Sequence, residues 1–125
     1  VVDGAPELLA HLTKRGPVHV LSNGFANLQS RKLKSGGIDK YITKLILSDD
    51  IDVTKPDRRL FDYALEQVGG TPETTVMIGD NYDADILGAN NAGWHTIFFN
   101  RKNVVLETNV ADLTVTRLTD IIAWL

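Results

Sequence analysis

Three aspartates lie within six positions, directly behind a short apolar run, in the stretch VMIGDNYDADILGANNAG. Asp83 and Asp85 fall in the first turn of a predicted helix, where acidic residues are common because they oppose the positive end of the helix dipole. Asp80 comes earlier, at the end of the predicted strand, and the dipole does not explain it. Because Mg²⁺ takes a few carboxylate oxygens and keeps several waters, Asp80 and Asp85 are candidate ligands of a divalent cation.

Two further polar clusters also follow predicted strands. Lys55 precedes Pro56 in a polar loop, and an ammonium fixed near carboxylates could offset charge in phosphoryl transfer. Ser22, Asn23 and Gly24 follow the first predicted strand, and a hydroxyl beside backbone N–H groups can bind phosphate oxygens. Each cluster alone also fits a solvated loop lysine or an ordinary polar turn. Their meaning therefore depends on the elements that position them.

Those elements alternate between helix and strand along the chain. Apolar residues at a spacing of three to four predict amphipathic helices, and short apolar runs predict buried strands. The helices are predicted from Pro6 to Gly16 and over Ala26–Ser35, Asp57–Val68 and Asp83–Ala92; the strands are PVHVL, KLILSDD, TVMIG and HTIFFN, followed by an edge strand and a terminal helix in DLTVTRLTDIIAWL. This alternation predicts an α/β fold with a mostly parallel sheet covered on both faces. Ligands of such sheets bind at the carboxyl ends of the strands, where the polar clusters fall.

Composition narrows the functional class. The 125 residues suit one domain, and a formal net charge of −3 gives no electrostatic reason to expect nucleic acid or an anionic membrane as a partner. The sequence contains no apolar stretch of the roughly 18 residues that a membrane helix needs and no signal-peptide pattern. Without cysteine it has no disulfide or thiolate metal site, which is consistent with a cytoplasmic protein. Because the chain starts at Val1 and runs almost at once into a helix, we expect a piece of a longer protein.

The order of the polar clusters resembles a known family. The segments VHVLSNG, LSDDIDVTKPDRRLFDYAL and VMIGDNYDADILGANNAG resemble motifs II, III and IV of the haloacid dehalogenase (HAD) superfamily of hydrolases, over roughly residues 5–100. The resemblance implies a three-layer, Rossmann-like (HAD-like) fold. It is closest in appearance to the members with a helical cap, and among these to pyrimidine-nucleotidase-like phosphatases.

The resemblance also implies roles for single residues. Ser22 would hydrogen-bond the transferring phosphoryl group, with Asn23 nearby. Lys55 would stabilise the nucleophile and the charged intermediate. Asp80 would bind Mg²⁺, and Asp85 would either support the metal shell or orient Lys55.

The first motif of the family, a strand that ends in Asp-x-Asp, has no convincing match. Asp3 lacks a preceding apolar strand and a second aspartate. Asp50 and Asp52 have the right spacing, but they lie only a few residues before Lys55, so we interpret them as acidic loop residues. We therefore expect residues 1–125 to form a partial HAD-like core domain that lacks the first strand, the cap and the nucleophile.

The resemblance places the missing strand centrally, between residues 17–21 and 76–79. We accordingly expect the absent N-terminal segment or another copy of the chain as a partner. The complete protein is predicted to be an Mg²⁺-dependent phosphomonoesterase that acts on a small phosphate ester or a nucleoside monophosphate through an aspartyl-phosphate. The chain alone is expected to be inactive. Two alternatives stay open: a haloacid dehalogenase, which needs no metal, and a non-catalytic module that binds phosphate or metal.

Overall fold

The computed structural model describes residues 3–23 and 26–125, with the side chains of residues 26–28 outside the description. Gly24 of the predicted phosphate-binding turn therefore lies outside the described residues. The elements alternate between helix and strand, as the sequence predicts. The α-helices are α1 (Ala5–Thr13), α2 (Ala26–Ser35), α3 (Arg58–Val68) and α4 (Gly88–Asn91), and the strands are β1 (His19–Ser22), β2 (Lys44–Leu47), β3 (Val76–Gly79), β4 (His95–Phe99) and β5 (Leu113–Val115).

The strands form two parallel sheets in two compact units. The first unit comprises residues 1–52 and 117–125 and contains β1 paired with β2. The second unit comprises residues 53–116 and contains the sheet β3-β4-β5, with β4 in the centre. The predicted parallel α/β fold is therefore confirmed. In a parallel sheet all carboxyl ends lie at one edge, so the residues that follow β3 and β4 share an edge.

The first unit is built around contacts between α1 and the C-terminal segment. Leu8 of α1 and Ile121 of that segment are both buried. The backbone approaches closely here: Gly4 has φ +85°, and a Cβ on it would lie 2.9 Å from Thr119 Cγ2. The predicted terminal helix is a 3₁₀-helix over Leu118–Ala123 instead of an α-helix. Its β-branched residues are poor α-helix formers, and the 3₁₀ winding is common in such short pieces.

The second unit is built around α3 and the buried central strand β4. Leu60 and Phe61 of α3 are fully buried, and the Phe61 ring contacts Trp94 edge to face at a centroid distance of 5.2 Å. Gly88 lies against the same ring, because a Cβ there would be 2.5 Å from Phe61 Cε2. The predicted bounds of α3 hold to one residue: Asp57 caps it by accepting the Arg59 N–H.

The helix predicted over residues 83–92 is divided. A π-helical turn spans Tyr82–Leu87, and α4 continues from Gly88 to Asn91. The side chain of Asn81 caps the turn by accepting the N–H of Ala84 at 3.0 Å. Such wide turns are often found at functional sites, because the extra residue changes the direction of the side chains around it. Here the turn contains the buried Asp85.

Candidate active site

A buried ion pair forms the centre of the site. Lys55 Nζ lies 2.6 Å from Asp85 Oδ1, and the two side chains are only 11% and 8% exposed. A charge so far out of water is tolerated when it is paired and hydrogen-bonded. The lysine lies in the loop before α3, where the Lys55–Pro56 peptide bond is cis. Asp85 therefore fixes the lysine ammonium in one place.

Asp85 is itself packed against the carboxyl end of β3. Its Oδ2 accepts the N–H of Asn81 at 3.3 Å. Gly79 leaves the room that this contact needs, because a Cβ at this position would overlap the Asp85 carboxylate. The Asp85 carboxylate therefore connects the Lys55 ammonium to the backbone N–H of Asn81, directly after Asp80.

Asp80 lies at the same strand end with a different environment. Its side chain is 49% exposed, and its Oδ2 lies 3.4 Å from Nη1 of Arg101. An exposed carboxylate at a strand end fits a Mg²⁺ ligand. The described residues contain no cluster of three His, Cys, Asp or Glu side chains that could bind a metal. A cation at Asp80 would therefore use water and further ligands as well, which is the coordination that Mg²⁺ favours.

Arg101 is a site residue that the sequence analysis missed. It follows β4, whose carboxyl end lies beside that of β3, with Gly79 opposite Phe98 in the register. The signal was present in HTIFFNR, since a charged residue directly after an apolar strand lies at the ligand edge of a parallel sheet. No spacing rule, however, connects it to Asp80.

The other predicted residues lie as follows. Asp83 is exposed in the π-helical turn, as expected for a helix-start charge. Ser22 ends β1 in the first unit, half-buried and in register with Leu47, and Asn23 follows it. Asp50 is also in the first unit, where its Oδ2 accepts the Leu47 N–H at 3.3 Å. Asp50 ends a 3₁₀ turn over Ser48–Asp50, and its exclusion from the first motif stays a prediction.

Comparison with known proteins assigns the family. The family model of haloacid dehalogenase-like hydrolases matches residues 1–93. The chain belongs to this family. This haloacid dehalogenase-like chain is 39% identical to the pyrimidine 5'-nucleotidase YjjG of Escherichia coli (strain K12) over 98 residues, which cover 78% of the chain and 44% of that relative.

Solved structures agree with the assignment. The haloacid dehalogenase-like chain is similar to the HAD-hydrolase YfnB of Bacillus subtilis, solved bound to magnesium, with a TM-score of 0.90 and 25% identity over 98% of this chain and 54% of YfnB. It is also similar to a dehalogenase, with a TM-score of 0.93 and 26% identity over 98% of this chain and 55% of that protein. The chain thus spans about half the length of such proteins, and its HAD-like core is incomplete. Among the described residues, no helix has the length and apolar composition needed to cross a membrane.

Proposed function

We propose that the protein to which this chain belongs is an Mg²⁺-dependent phosphomonoesterase that acts on a small phosphate ester or a nucleoside monophosphate through an aspartyl-phosphate. The observation that carries the proposal is the buried Lys55 ammonium, bound by Asp85 at the same strand end as the exposed Asp80. A fixed positive charge beside an exposed carboxylate is suited to a reaction in which a phosphoryl group is transferred.

Each residue has a separate task in this reaction. Lys55 offsets the negative charge of the phosphoryl oxygens, and Asp85 is a positioning residue that acts through Lys55. Asp80 would be a metal ligand, and Mg²⁺ bound there would supply a further positive charge for the phosphoryl group. Ser22 donates its hydroxyl hydrogen to a phosphoryl oxygen, with Asn23 nearby.

The nucleophile comes from an Asp-x-Asp strand outside the 125 residues. The carboxylate of its first aspartate forms a bond to phosphorus while the bond between phosphorus and the ester oxygen breaks, and the second aspartate donates a proton to the leaving alcohol. Water then hydrolyses the acyl phosphate and releases inorganic phosphate. The segment that carries this strand, or a second copy of the chain, is the proposed partner, and the chain alone has no turnover.

Two comparisons support the finer points. The E. coli relative is named a pyrimidine 5'-nucleotidase, which favours a nucleoside monophosphate as the substrate. YfnB was solved with magnesium, which favours Mg²⁺ as the cation.

The similarity to a dehalogenase makes haloacid dehalogenation the second candidate. That reaction releases halide from a 2-haloacid and requires no metal. An exposed Asp80 at the same strand end as the Lys55–Asp85 pair favours the metal-dependent phosphatase, because an exposed carboxylate suits a Mg²⁺ ligand.

The two functions are separated by assaying the product of the complete reading frame that contains this chain. We expect phosphate release from pyrimidine nucleoside monophosphates or small sugar phosphates, its loss in EDTA and its return with Mg²⁺. Asp80→Asn should abolish the release, and Asp83→Asn, an exposed neighbour of equal charge, should leave it unchanged. Halide release that persists in EDTA would overturn the proposal.

A further inference from the structure

The connection between β4 and β5, residues 100–112, is hydrogen-bonded to the π-helical turn that follows β3. Tyr82 of the π-helical turn donates its hydroxyl hydrogen to the Thr108 carbonyl at 3.1 Å and accepts the Val110 N–H at 2.9 Å. The Tyr82 ring also contacts Phe98 of β4 at a centroid distance of 5.4 Å. A long connection with such specific anchors is often functional.

The start of this connection is closed into a compact turn that carries Arg101. Asn100 Nδ2 donates to the Val104 carbonyl at 3.0 Å, and Asn100 Oδ1 accepts the Val104 N–H at 2.9 Å. The Arg101 guanidinium also lies over the Phe99 ring, 5.9 Å from its centroid. The guanidinium is therefore positioned by its own neighbours in addition to its contact with Asp80.

This arrangement places the positively charged Arg101 guanidinium beside Asp80, the carboxylate that is proposed to bind a divalent cation. The Arg101–Asp80 contact is single and long, at 3.4 Å, and involves Oδ2. A second cation at Asp80 is repelled by the guanidinium and competes with it for the carboxylate.

We propose that Arg101 sets the divalent-cation affinity of the site by keeping Asp80 a weak ligand. The inference rests on the proposed function, because it takes Asp80 as the metal ligand. Both side chains are about half exposed, 47% for Arg101 and 49% for Asp80, so solvent screens the repulsion. We expect its removal to tighten Mg²⁺ binding by about three- to tenfold.

The test is a titration with MgCl₂, at constant ionic strength, of the ¹⁵N-labelled product of the complete reading frame, because a cation at Asp80 would use further ligands as well. The amide signals of Asp80 and Asn81 report binding, and their shifts give Kd even when binding is weak. Arg101→Gln removes the charge, and Lys102→Gln removes an equal charge from the next residue, which is also exposed. Arg101→Lys retains the charge, and the rest of the spectrum shows whether each variant is folded.

The expected result is a Kd about three to ten times lower in Arg101→Gln, with Lys102→Gln and Arg101→Lys close to the wild type. A Kd in Arg101→Gln that equals or exceeds the wild-type value would overturn the role of Arg101, while the proposed function would stand. If Mg²⁺ fails to shift these two amides in the wild type and in every variant, or shifts them equally in Asp80→Asn, the metal assignment fails and this inference fails with it.

Discussion

At the scale of the residue, the Lys55–Asp85 ion pair carries the site because both charges are buried. Removing one partner leaves the other charge out of water without compensation, which typically costs several kcal/mol. Exposed ion pairs contribute far less, because solvent screens both charges. The chain offers both kinds of pair, since the Arg58 and Asp62 side chains are 65% and 55% exposed.

We accordingly predict that Lys55→Met and Asp85→Ala each lower the free energy of unfolding by about 3 kcal/mol. Arg58→Met, the matched exposed control, should change it by less than about 1 kcal/mol. In the Lys55→Met/Asp85→Ala double variant the loss should be well below the sum of the two single losses, because no unpaired charge remains. Urea denaturation followed by circular dichroism measures all four values. Additive losses would contradict the pairing.

His19 provides a pH-dependent test in the first unit. Burial lowers the pKa of His19 below its ordinary value of 6.5, and the nearby Lys44 ammonium lowers it further. The unfolded chain therefore takes up a proton near pH 6.5 while the folded chain does not. The His19 contribution is fully present above pH 6.5, and stability falls as the pH drops from there towards the folded pKa.

This effect can be followed by NMR titration of the His19 ring. We predict a pKa below 6.5 in the wild type and a higher one in Lys44→Gln, because the repelling ammonium is removed. The fall in stability below pH 6.5 should be smaller in His19→Gln. A His19 pKa at or above 6.5 in the folded wild type would show that the ring is not desolvated.

Sequence reasoning reached some of these residues and missed others for a physical reason. Local pattern was enough to place three of them: Asp80 directly follows a predicted strand, Asp85 lies in the first turn of the next predicted helix, and Lys55 lies in the polar loop before another. Asp85 contacts Lys55 in this structure, and its support of a metal shell stays a prediction. Arg101 was missed because its contact with Asp80 depends on the pairing of β3 with β4, which no local pattern specifies.

At the scale of the element, Gly79 at the end of β3 leaves the space that the Asp85 side chain occupies. Gly79 has an ordinary φ, so its role is space and not backbone freedom. We predict that Gly79→Ala displaces Asp85 and costs about 1–3 kcal/mol of stability, as overpacking usually does. Gly16→Ala is the matched control, since a Cβ there meets nothing within 4 Å. Equal melting temperatures for the two variants would contradict the close approach at Gly79.

The elements themselves were predicted well where the apolar period is clear. The bounds of α2 match the prediction, because Gly36 and Gly37 end it as expected. The prediction of one α-helix over residues 83–92 was wrong in part, because only Gly88–Asn91 is α-helical. The π-helical turn at Tyr82–Leu87 accompanies the burial of Asp85 against Lys55 and Gly79, and these tertiary contacts leave no periodic signal in the sequence.

At the scale of the whole molecule, burial differs between strands in a way that fits an incomplete core. In the second unit β4 has a strand on each side, and Thr96 to Phe99 are buried. Among the described residues β3 pairs with β4 alone, and its first residue, Val76, is 39% exposed. In the first unit all four residues of β1 are only half-buried. These edges fit a HAD-like core that is incomplete.

The location of the nucleophile is therefore the central claim, and phosphate release by two proteins in parallel tests it most directly. One protein is the 125-residue chain, and the other is the product of the complete reading frame, each assayed with Mg²⁺ and the same phosphate monoester. We predict Mg²⁺-dependent release by the longer protein, lost in Lys55→Met, and none by the chain alone. Release by the chain alone that disappears in Asp50→Asn or Asp52→Asn would contradict the claim, because the nucleophile would then lie within these 125 residues.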